Sequence, residues 1–309
     1  MFETEPALCP ICGSSQARNI AIGKDFEYHT SDEDFFIQQC QKCSVLYLNP
    51  RPAISELPRI YPNNYEPYHF DEKALTFRLR RWLEKNKAKE YLRLIPKTAE
   101  VLDAGCGGST FLENLRDLGC TSWRLWGNDI SADVTEHVLG KGFETICCRF
   151  EEIDLPAESF DAIFFRQVIE HLDKPFDVLV HAKRLLKHSG ILVVETPNFD
   201  AWDAYFYRKC YWGGYHIPRH WTLFTVETLS KAGEMAGLRP LQVSFSLSPA
   251  FWVQSWHHYF LDHGWPDWIV NQFNIKNPLI MSFASFLDFI QRAITGKTSN
   301  MRIIFKKTS

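Results

Sequence analysis

A cluster of glycines between an apolar run and an amphipathic run has the clearest chemical meaning in this sequence. The segment VLDAGCGGSTFL begins at Val101 and holds Gly105 and Gly107 in its central turn. Because glycine has no Cβ, a ligand can approach the backbone closely, and the start of the following helix offers unpaired N–H groups. The pattern therefore predicts a strand, a turn and a helix that bind a nucleotide-type cofactor.

Charge and spacing narrow the choice of cofactor. Thr110 stands where a dinucleotide-binding turn has its third glycine, and the carboxylate of Asp103 would repel a pyrophosphate. The same carboxylate suits a cofactor that carries an ammonium and a sulfonium group. Asp129 comes 22 residues after Gly107, at the end of the next predicted strand, where an acid can accept both ribose hydroxyls. These residues favour a cationic donor over a dinucleotide.

Two Cys-x-x-Cys pairs lie near the start of the sequence, Cys9 with Cys12 and Cys40 with Cys43. Their layout is that of two knuckles that complete one tetrahedral thiolate site, and zinc is the expected metal. An iron–sulfur cluster would also accept four cysteines, but knuckles followed by turn residues suit zinc better. Four protein ligands leave no open coordination position, so we expect a structural role.

Histidines follow two of the predicted strands, at the edge of the sheet where ligands bind. His171 belongs to the pair Glu170–His171, and His216 and His220 lie in the later segment WGGYHIPRHW. A histidine near its ordinary pKa can accept a hydroxyl proton, and His220 is the first candidate for this base, with His171 second. Either histidine could instead brace its loop. Arg219 could meet an anionic group of the substrate or pair with an acid of the protein.

From Glu100 onward, strand-like and helix-like patterns alternate, which predicts an α/β fold with a doubly wound, mostly parallel, seven-stranded sheet. The predicted strands are 101–104, 124–128, 143–148, 161–165, 191–195, 241–247 and 302–305. We expect left-handed glycine caps on the helices between them at Gly119, Gly140, Gly190 and Gly237.

The chain divides into three predicted parts. Residues 1–48 form the zinc ribbon, and residues 49–97 form a connector rich in proline and tyrosine that leads into a basic helix over 74–95. Residues 98–309 form the catalytic domain.

An aromatic, helical insertion, residues 249–299, precedes the last predicted strand. It could be a lid over the substrate, a homodimer surface or ordinary core, and core is the expectation for Phe283, Phe286 and Ile290. Residues 241–261 lack acids, Lys and Arg, but their strand-like alternation and a proline argue against a transmembrane helix. The aromatic residues leave peripheral membrane contact as an alternative.

The 309 residues are 45% hydrophobic and carry a net charge of −3. Such a chain can bury a full α/β core, and it lacks the basicity of proteins that depend on phosphate contacts. We therefore expect a small-molecule partner rather than a nucleic acid. The acidic start MFETEP has no secretory pattern and nine cysteines suit a reducing compartment, so we expect a cytoplasmic location.

These motifs together resemble the class I S-adenosylmethionine-dependent methyltransferases, from about Val101 to Leu247. VLDAGCGGSTFL resembles their first motif, GNDIS the acid of the second strand, FDAIFFRQVIEHLDKP the fourth-strand motif and GILVVETPN the fifth strand. Ser109 replaces the third glycine of the family pattern. The resemblance implies S-adenosylmethionine as the cofactor, bound by Asp103, Gly105, Cys106, Gly107, Asp129, Ile130, Glu151 (or Glu152 in its place) and Gln167.

The ribbon, the NPRP and YPNNY connector and the later PRHWTLFT resemble a bacterial group of zinc-ribbon methyltransferases often associated with small-molecule or surface-glycan biosynthesis. The leading hypothesis is in-line methyl transfer to a hydroxyl of a sugar or secondary metabolite. The alternatives are an RNA methyltransferase that binds nucleic acid through its ribbon, and a non-catalytic cofactor-binding protein. Loops that bind acceptors diverge within one fold, so the motifs leave the acceptor open.

Overall fold

The computed structural model describes residues 2–61, 84–118 and 122–308. In chain order its strands are β1 (Thr4–Glu5), β2 (Ala17–Gly23), β3 (Phe35–Cys40), β4 (Leu46–Leu48), β5 (Arg51–Pro52), β6 (Ala99–Ala104), β7 (Trp123–Asp129), β8 (Glu144–Cys147), β9 (Phe160–Arg166), β10 (Leu186–Pro197), β11 (Thr222–Leu223), β12 (Leu238–Ser246) and β13 (Asn300–Lys307). The helices are α1 (Leu57–Ile60), α2 (Thr110–Asp117), α3 (Ala132–Gly140), α4 (Pro175–Leu185), α5 (Trp202–Tyr207), α6 (Val226–Met235), α7 (Pro249–Asp262), α8 (Asp267–Val270) and α9 (Pro278–Thr295).

One seven-stranded sheet has the order β12-β13-β10-β9-β6-β7-β8. Its neighbours pair in parallel except around β13, which is antiparallel to both β10 and β12. This sheet confirms the predicted α/β fold, and each predicted strand overlaps one of its members.

Alternate residues of the central strands pack on opposite sides of this sheet. Leu102 and Phe165 share a buried cluster with helices α4 and α6, whereas Val101 and Phe164 share another with α2 and α3. The sheet is therefore covered on both faces, which explains the nearly continuous apolar runs in its parallel strands. The carboxyl ends of β6, β7, β9 and β10 meet at one edge, where the candidate site residues follow them.

The predicted glycine caps are confirmed at one position and wrong at two. Gly237 follows helix α6 with a φ of +81°. Helix α3 includes Gly140 and its closing turn continues to Gly142, which has the positive φ. Gly190 lies inside β10, because helix α4 passes directly into that strand, and Ser189 takes the left-handed conformation there.

Two predictions lie wholly or partly outside the described residues. Gly119 is one of them. The basic helix predicted over 74–95 is described only from residue 84 onward, where residues 84–88 are helical and a 3-10 turn follows at Tyr91–Arg93.

The ribbon strands belong to a second sheet, with the order β11-β4-β3-β2. Strand β11 comes from the later part of the chain, between β10 and α6. In the same region, Ile37 and Leu46 of the ribbon pack with Trp212 and Trp221 in one buried cluster. Backbone pairing and a shared core therefore join the ribbon to the part of the chain that forms the seven-stranded sheet.

A buried ion pair crosses the same junction. The side chains of Asp25 and Arg219 are both fully inaccessible to solvent, and Arg219 Nη1 and Nη2 each donate to one carboxylate oxygen of Asp25 at 3.1 Å. Burial alone would raise the pKa of Asp25, but Arg219 and hydrogen bonds from Thr30 lower that pKa to about 2. Of the two roles open to Arg219 from the sequence, the structure shows pairing with an acid of the protein.

The aromatic insertion forms α7, α8 and α9, and two of its three expected core residues are exposed. Phe283 and Phe286 are 55% and 57% exposed, so the expectation of core is wrong for both, and Ile290 is half-buried. The reason is that α9 turns a different face inward, on which Asp288 accepts a hydrogen bond from Trp252 Nε1 at 3.1 Å. None of the helices in the described parts of the chain has the length and apolar character that a membrane crossing needs.

Candidate functional site

The glycine turn follows β6 and is held against the neighbouring strand. The N–H groups of Gly105 and Cys106 donate to Asn128 O at 2.8 and 3.0 Å. Gly105 has a φ of +67°, and a Cβ at this position would lie 2.6 Å from Val168 Cγ2. Gly107 also has a positive φ, but a Cβ there would meet no atom within 4 Å. The turn is therefore closed on the side of Val168 and open at Gly107, where a ligand could approach.

Ser109, the departure from the family glycine pattern, adopts the backbone conformation expected of a glycine. Its φ is +64°, and it is the N-cap of helix α2. The side chain is buried, and Oγ donates to Glu113 Oε1 at 3.4 Å. A non-glycine residue pays about 1–2 kcal/mol for the left-handed conformation, so the serine keeps the turn at a modest cost.

Two carboxylates flank this turn. Asp129 Oδ2 accepts from Gly107 N–H at 3.3 Å and Oδ1 accepts from Ser131 N–H at 3.0 Å. Asp103 is buried; burial first, and then Asp129 and Glu195, raise its pKa to about 7 against the opposing effect of Arg166. A cation next to Asp103 would stabilise its charged form, so this residue fits a positively charged ligand.

The remaining predicted cofactor residues lie around the same edge with different environments. Ile130 is 65% exposed directly after β7. Cys106 is buried and faces Gly127, whose Cβ would lie 2.8 Å from the Cys106 sulfur. Gln167 has a φ of +57° and donates through Nε2 to Asn300 Oδ1 at 2.8 Å.

Glu151 is engaged by a neighbouring arginine. Its Oε1 accepts from Arg149 Nε at 2.6 Å, and Arg149 also pairs with Asp173. To bind an adenine amine, the Glu151 carboxylate would therefore have to accept hydrogen bonds from Arg149 and from the ligand at the same time.

Glu170, His171 and His220 form a second cluster, in which one potential ligand atom from each lies within 4.8 Å of the others. Glu170 and His171 follow β9, whereas His220 precedes β11, and the two imidazole rings are 4.6 Å apart. Val168, two residues before Glu170, is the residue that packs on Gly105. The structure thus brings the two predicted catalytic histidines together, on the edge that carries the glycine turn.

Backbone carbonyls define which nitrogen of each histidine carries the proton. His220 Nδ1 lies 2.8 Å from Gly214 O, and His171 Nδ1 lies 3.1 Å from Arg219 O and 2.9 Å from Tyr61 Oη. A carbonyl oxygen only accepts, so Nδ1–H donates in both residues and each Nε2 keeps its lone pair. Burial lowers the pKa of His171 to about 3 and that of His220 well below 6.5, so both imidazoles are neutral.

Glu170 is fully buried beside these rings. Its Oε2 accepts from Thr196 Oγ1 at 2.9 Å, while Oε1 has no hydrogen-bond partner among the described residues. Burial raises the pKa of Glu170 to about 8. A buried carboxyl with an unsatisfied oxygen is costly, which marks this position as one built for a ligand or proton.

Sequence reasoning missed the contributions of the amino-terminal part. Glu27 Oε1 lies 2.9 Å from His216 Nδ1, and the rings of His216 and His220 are 4.9 Å apart. Tyr61 reaches His171, as described above. The contacts of Glu27 with His216 and of Tyr61 with His171 join residues more than a hundred positions apart. No local spacing in the sequence signals them.

The four ribbon cysteines converge as predicted. Cys9 and Cys43 sulfurs are 3.4 Å apart, Cys12 and Cys40 sulfurs are 3.5 Å apart, and all four lie within 4.8 Å of one another. Tetrahedral zinc–thiolate bonds of about 2.3 Å require sulfur–sulfur distances of roughly 3.8 Å. The cluster thus has the donor set and the spacing of a four-thiolate metal site.

Comparison with known proteins agrees with this geometry. Residues 77–243 match the family described as Methyltransferase domain, which is more than half of the chain. The chain belongs to this methyltransferase family. The seven-stranded sheet, the glycine turn and the strand-end acids that were expected of such a domain are all present.

Individual relatives match parts of the chain. A ubiquinone biosynthesis O-methyltransferase of Roseobacter denitrificans is 28% identical over 180 residues, which cover 52% of this chain and 67% of that protein. Its counterpart from Glaesserella parasuis is 30% identical over 115 residues, covering 33% and 47%. The chain thus spans about half the length of the first curated relatives that it matches. An S-adenosylmethionine-dependent methyltransferase from Archaeoglobus fulgidus shares the fold, with a TM-score of 0.50, 22% identity and coverage of 74% and 94%.

The two glycines of the turn should respond differently to a methyl group. Both have a positive φ, so Gly105→Ala and Gly107→Ala share the backbone cost, but only the first meets Val168. We expect Gly105→Ala to lower the free energy of unfolding by about 1–3 kcal/mol more than Gly107→Ala, measured by denaturant titration. In a Val168→Ala background this difference should shrink. Equal losses in both backgrounds would show that the contact with Val168 does not shape the turn.

Proposed function

We propose that this methyltransferase acts on a hydroxyl group of a small molecule, with a sugar or secondary metabolite as the first expectation. The observation that carries the proposal is the meeting of two neutral imidazole rings, those of His171 and His220, with centroids 4.6 Å apart at the edge of the sheet that holds the glycine turn. Neutral imidazole nitrogens accept hydrogen bonds from hydroxyl groups. The name O-methyltransferase printed for the ubiquinone relatives supports an oxygen acceptor as well.

The donor half of the site is assigned to the glycine turn and its acids. In this proposal Asp103, with the backbone of Gly105, Cys106 and Gly107, holds the methionine half of the cofactor, and Asp129 holds the ribose. The open space at Gly107 and the uncompensated burial of Asp103 support this assignment. Ile130 would contact the adenine ring, Glu151 its amine, and Gln167 the region of the methyl group.

S-adenosylmethionine, when bound, supplies a methyl group that passes to the acceptor oxygen as the sulfur–carbon bond breaks, so the hydroxyl proton must leave. In this proposal His220 Nε2 accepts a hydrogen bond from that hydroxyl and receives its proton. His171 Nε2 would orient the same group. Because burial lowers the pKa of His220, this proton transfer is easier from the more acidic hydroxyls of these acceptor classes.

We further propose that Cys9, Cys12, Cys40 and Cys43 hold a structural zinc ion. Their convergence supports this assignment, and four protein ligands leave no position for a substrate. The zinc would fix the ribbon, and through it the strand β4 that pairs with β11.

Native mass spectrometry tests the zinc proposal. Cys12→Ser should lose one zinc equivalent per chain, because three thiolates bind the ion more weakly than four. Cys147→Ser, which changes an exposed cysteine outside the cluster, is the matched control and should keep the zinc. Equal zinc content in the two variants would overturn the assignment.

Calorimetry and a labelled methyl donor together test the site residues. Asp129→Ala should weaken S-adenosylmethionine binding roughly 10- to 100-fold, the cost of hydrogen bonds to a charged group, whereas the exposed Asp133→Asn should not. With labelled cofactor and panels of nucleotide sugars, phenols and RNA, the label should appear on a small-molecule hydroxyl. His220→Gln should slow this transfer about 10²- to 10⁴-fold and leave cofactor binding intact.

The outcomes separate the hypotheses. Label on RNA or only on nitrogen would contradict the hydroxyl proposal. Cofactor binding without transfer to any acceptor would support a non-catalytic role, and unchanged binding by Asp129→Ala would reject the donor-site assignment.

A further inference from the structure

The cluster of Glu170, His171 and His220 offers three potential metal-ligand atoms, which is more than the binding of one hydroxyl group requires. Nε2 is the nitrogen that keeps its lone pair on each histidine, and each of the three residues offers one potential ligand atom. The ligand atoms lie within 4.8 Å, and Glu170 Oε1 is fully buried without a partner among the described residues. Two imidazoles and one carboxylate form a common ligand set for divalent metal ions.

Each of the three side chains also makes a hydrogen bond through its other polar atom, as metal ligands commonly do. The carbonyls of Gly214 and Arg219 fix the Nδ1–H tautomers of His220 and His171, and Thr196 Oγ1 holds the other oxygen of Glu170. Such outer hydrogen bonds select the metal-binding nitrogen and orient the ring. These hydrogen bonds fix the orientation of the three side chains whose ligand atoms lie within 4.8 Å of one another.

The charges around the cluster leave Glu170 without a counter-ion. Arg219, the cation beside the histidines, is committed to Asp25 in a fully buried ion pair. His216 is bound to Glu27. A cation placed among the three ligand residues would replace the proton of Glu170 and satisfy its free oxygen.

We propose that Glu170, His171 and His220 form a second metal site, which binds one divalent cation of the manganese-to-zinc series. Metal–nitrogen bonds of about 2.0–2.1 Å place neighbouring donors roughly 3.3 Å apart, so binding draws the side chains together by an ångström or so. Three protein ligands leave coordination positions open, in contrast to the four-cysteine cluster. This is the arrangement of catalytic rather than structural sites.

The open positions assign a role to the cation that rests on the proposed function. An acceptor hydroxyl that coordinates the cation has a lowered pKa and can release its proton to water before methyl transfer. With the cation bound, His220 Nε2 is a ligand and not the proton acceptor, so the cation and water take over that step of the proposed function. On a five- or six-coordinate ion the site would also select acceptors with two neighbouring oxygen atoms, which can fill two open positions.

Cobalt(II) titration of the full chain with zinc retained in its ribbon tests the site. Cobalt bound by nitrogen and oxygen gives d–d absorption without the thiolate charge-transfer band that cysteine ligands add. We expect one saturating equivalent with that spectrum. Glu170→Gln and His220→Gln should weaken cobalt binding by at least about 10-fold, and Thr196→Val, which leaves all three donors in place, should weaken it less. The matched control is His188→Gln, which changes an exposed histidine near the start of β10, away from the carboxyl end of that strand.

Circular dichroism and calorimetric binding of S-adenosylmethionine establish that each variant is folded. The proposal is overturned if the zinc-loaded protein binds no cobalt, if a thiolate band accompanies binding, or if the two ligand variants bind cobalt like the parent. Cobalt binding that does not change methyl transfer would keep the metal site and remove its link to the acceptor. Failure of transfer with every acceptor, despite cobalt binding, would count against the proposed function alone.

Discussion

The buried ion pair between Asp25 and Arg219 joins the amino-terminal ribbon to the segment that carries His220. Both side chains are fully buried, so neither charge has water to stabilise it if the other is lost. Removing one partner of such a pair typically costs about 3–5 kcal/mol. Arg219 precedes His220 directly, and its carbonyl fixes the tautomer of His171. In the proposed function, the ribbon therefore acts on the chemistry through the position of the segment around Arg219 and His220.

The two halves of the site are built by different kinds of interaction. The donor half depends on local structure: a strand, a left-handed turn and a helix start within one stretch of chain, with an acid on the neighbouring strand. The acceptor half depends on contacts between distant segments, since β11 pairs with β4 and Tyr61 and Glu27 reach the histidines from the amino-terminal part. This division explains how one fold can keep its cofactor while its acceptors vary.

The same division determines what the sequence could predict. The strands, the glycine turn and the convergence of the cysteine pairs follow from period and spacing, which are local. Even the irregular residue Ser109 keeps the predicted turn. The pairing of Asp25 with Arg219 and the free oxygen of Glu170 depend on tertiary packing, and no pattern in the sequence encodes them. For the insertion, the apolar spacing of α9 was read as core, whereas a hydrogen-bonded acid occupies its buried face and the phenylalanines are exposed.

Hydrogen exchange followed by mass spectrometry tests most directly whether the ribbon ion pair positions the histidine segment. The comparison is between the parent, Asp25→Asn and the control Asp34→Asn, whose exposed carboxylate lies 3.9 Å from Lys24. We expect faster exchange in Asp25→Asn at residues 216–222, including the Trp221 N–H that donates to Glu170 O. Exchange in β6 and β9 should not change. Unchanged exchange at residues 216–222 would contradict this expectation, since the segment would then hold its position without the ion pair.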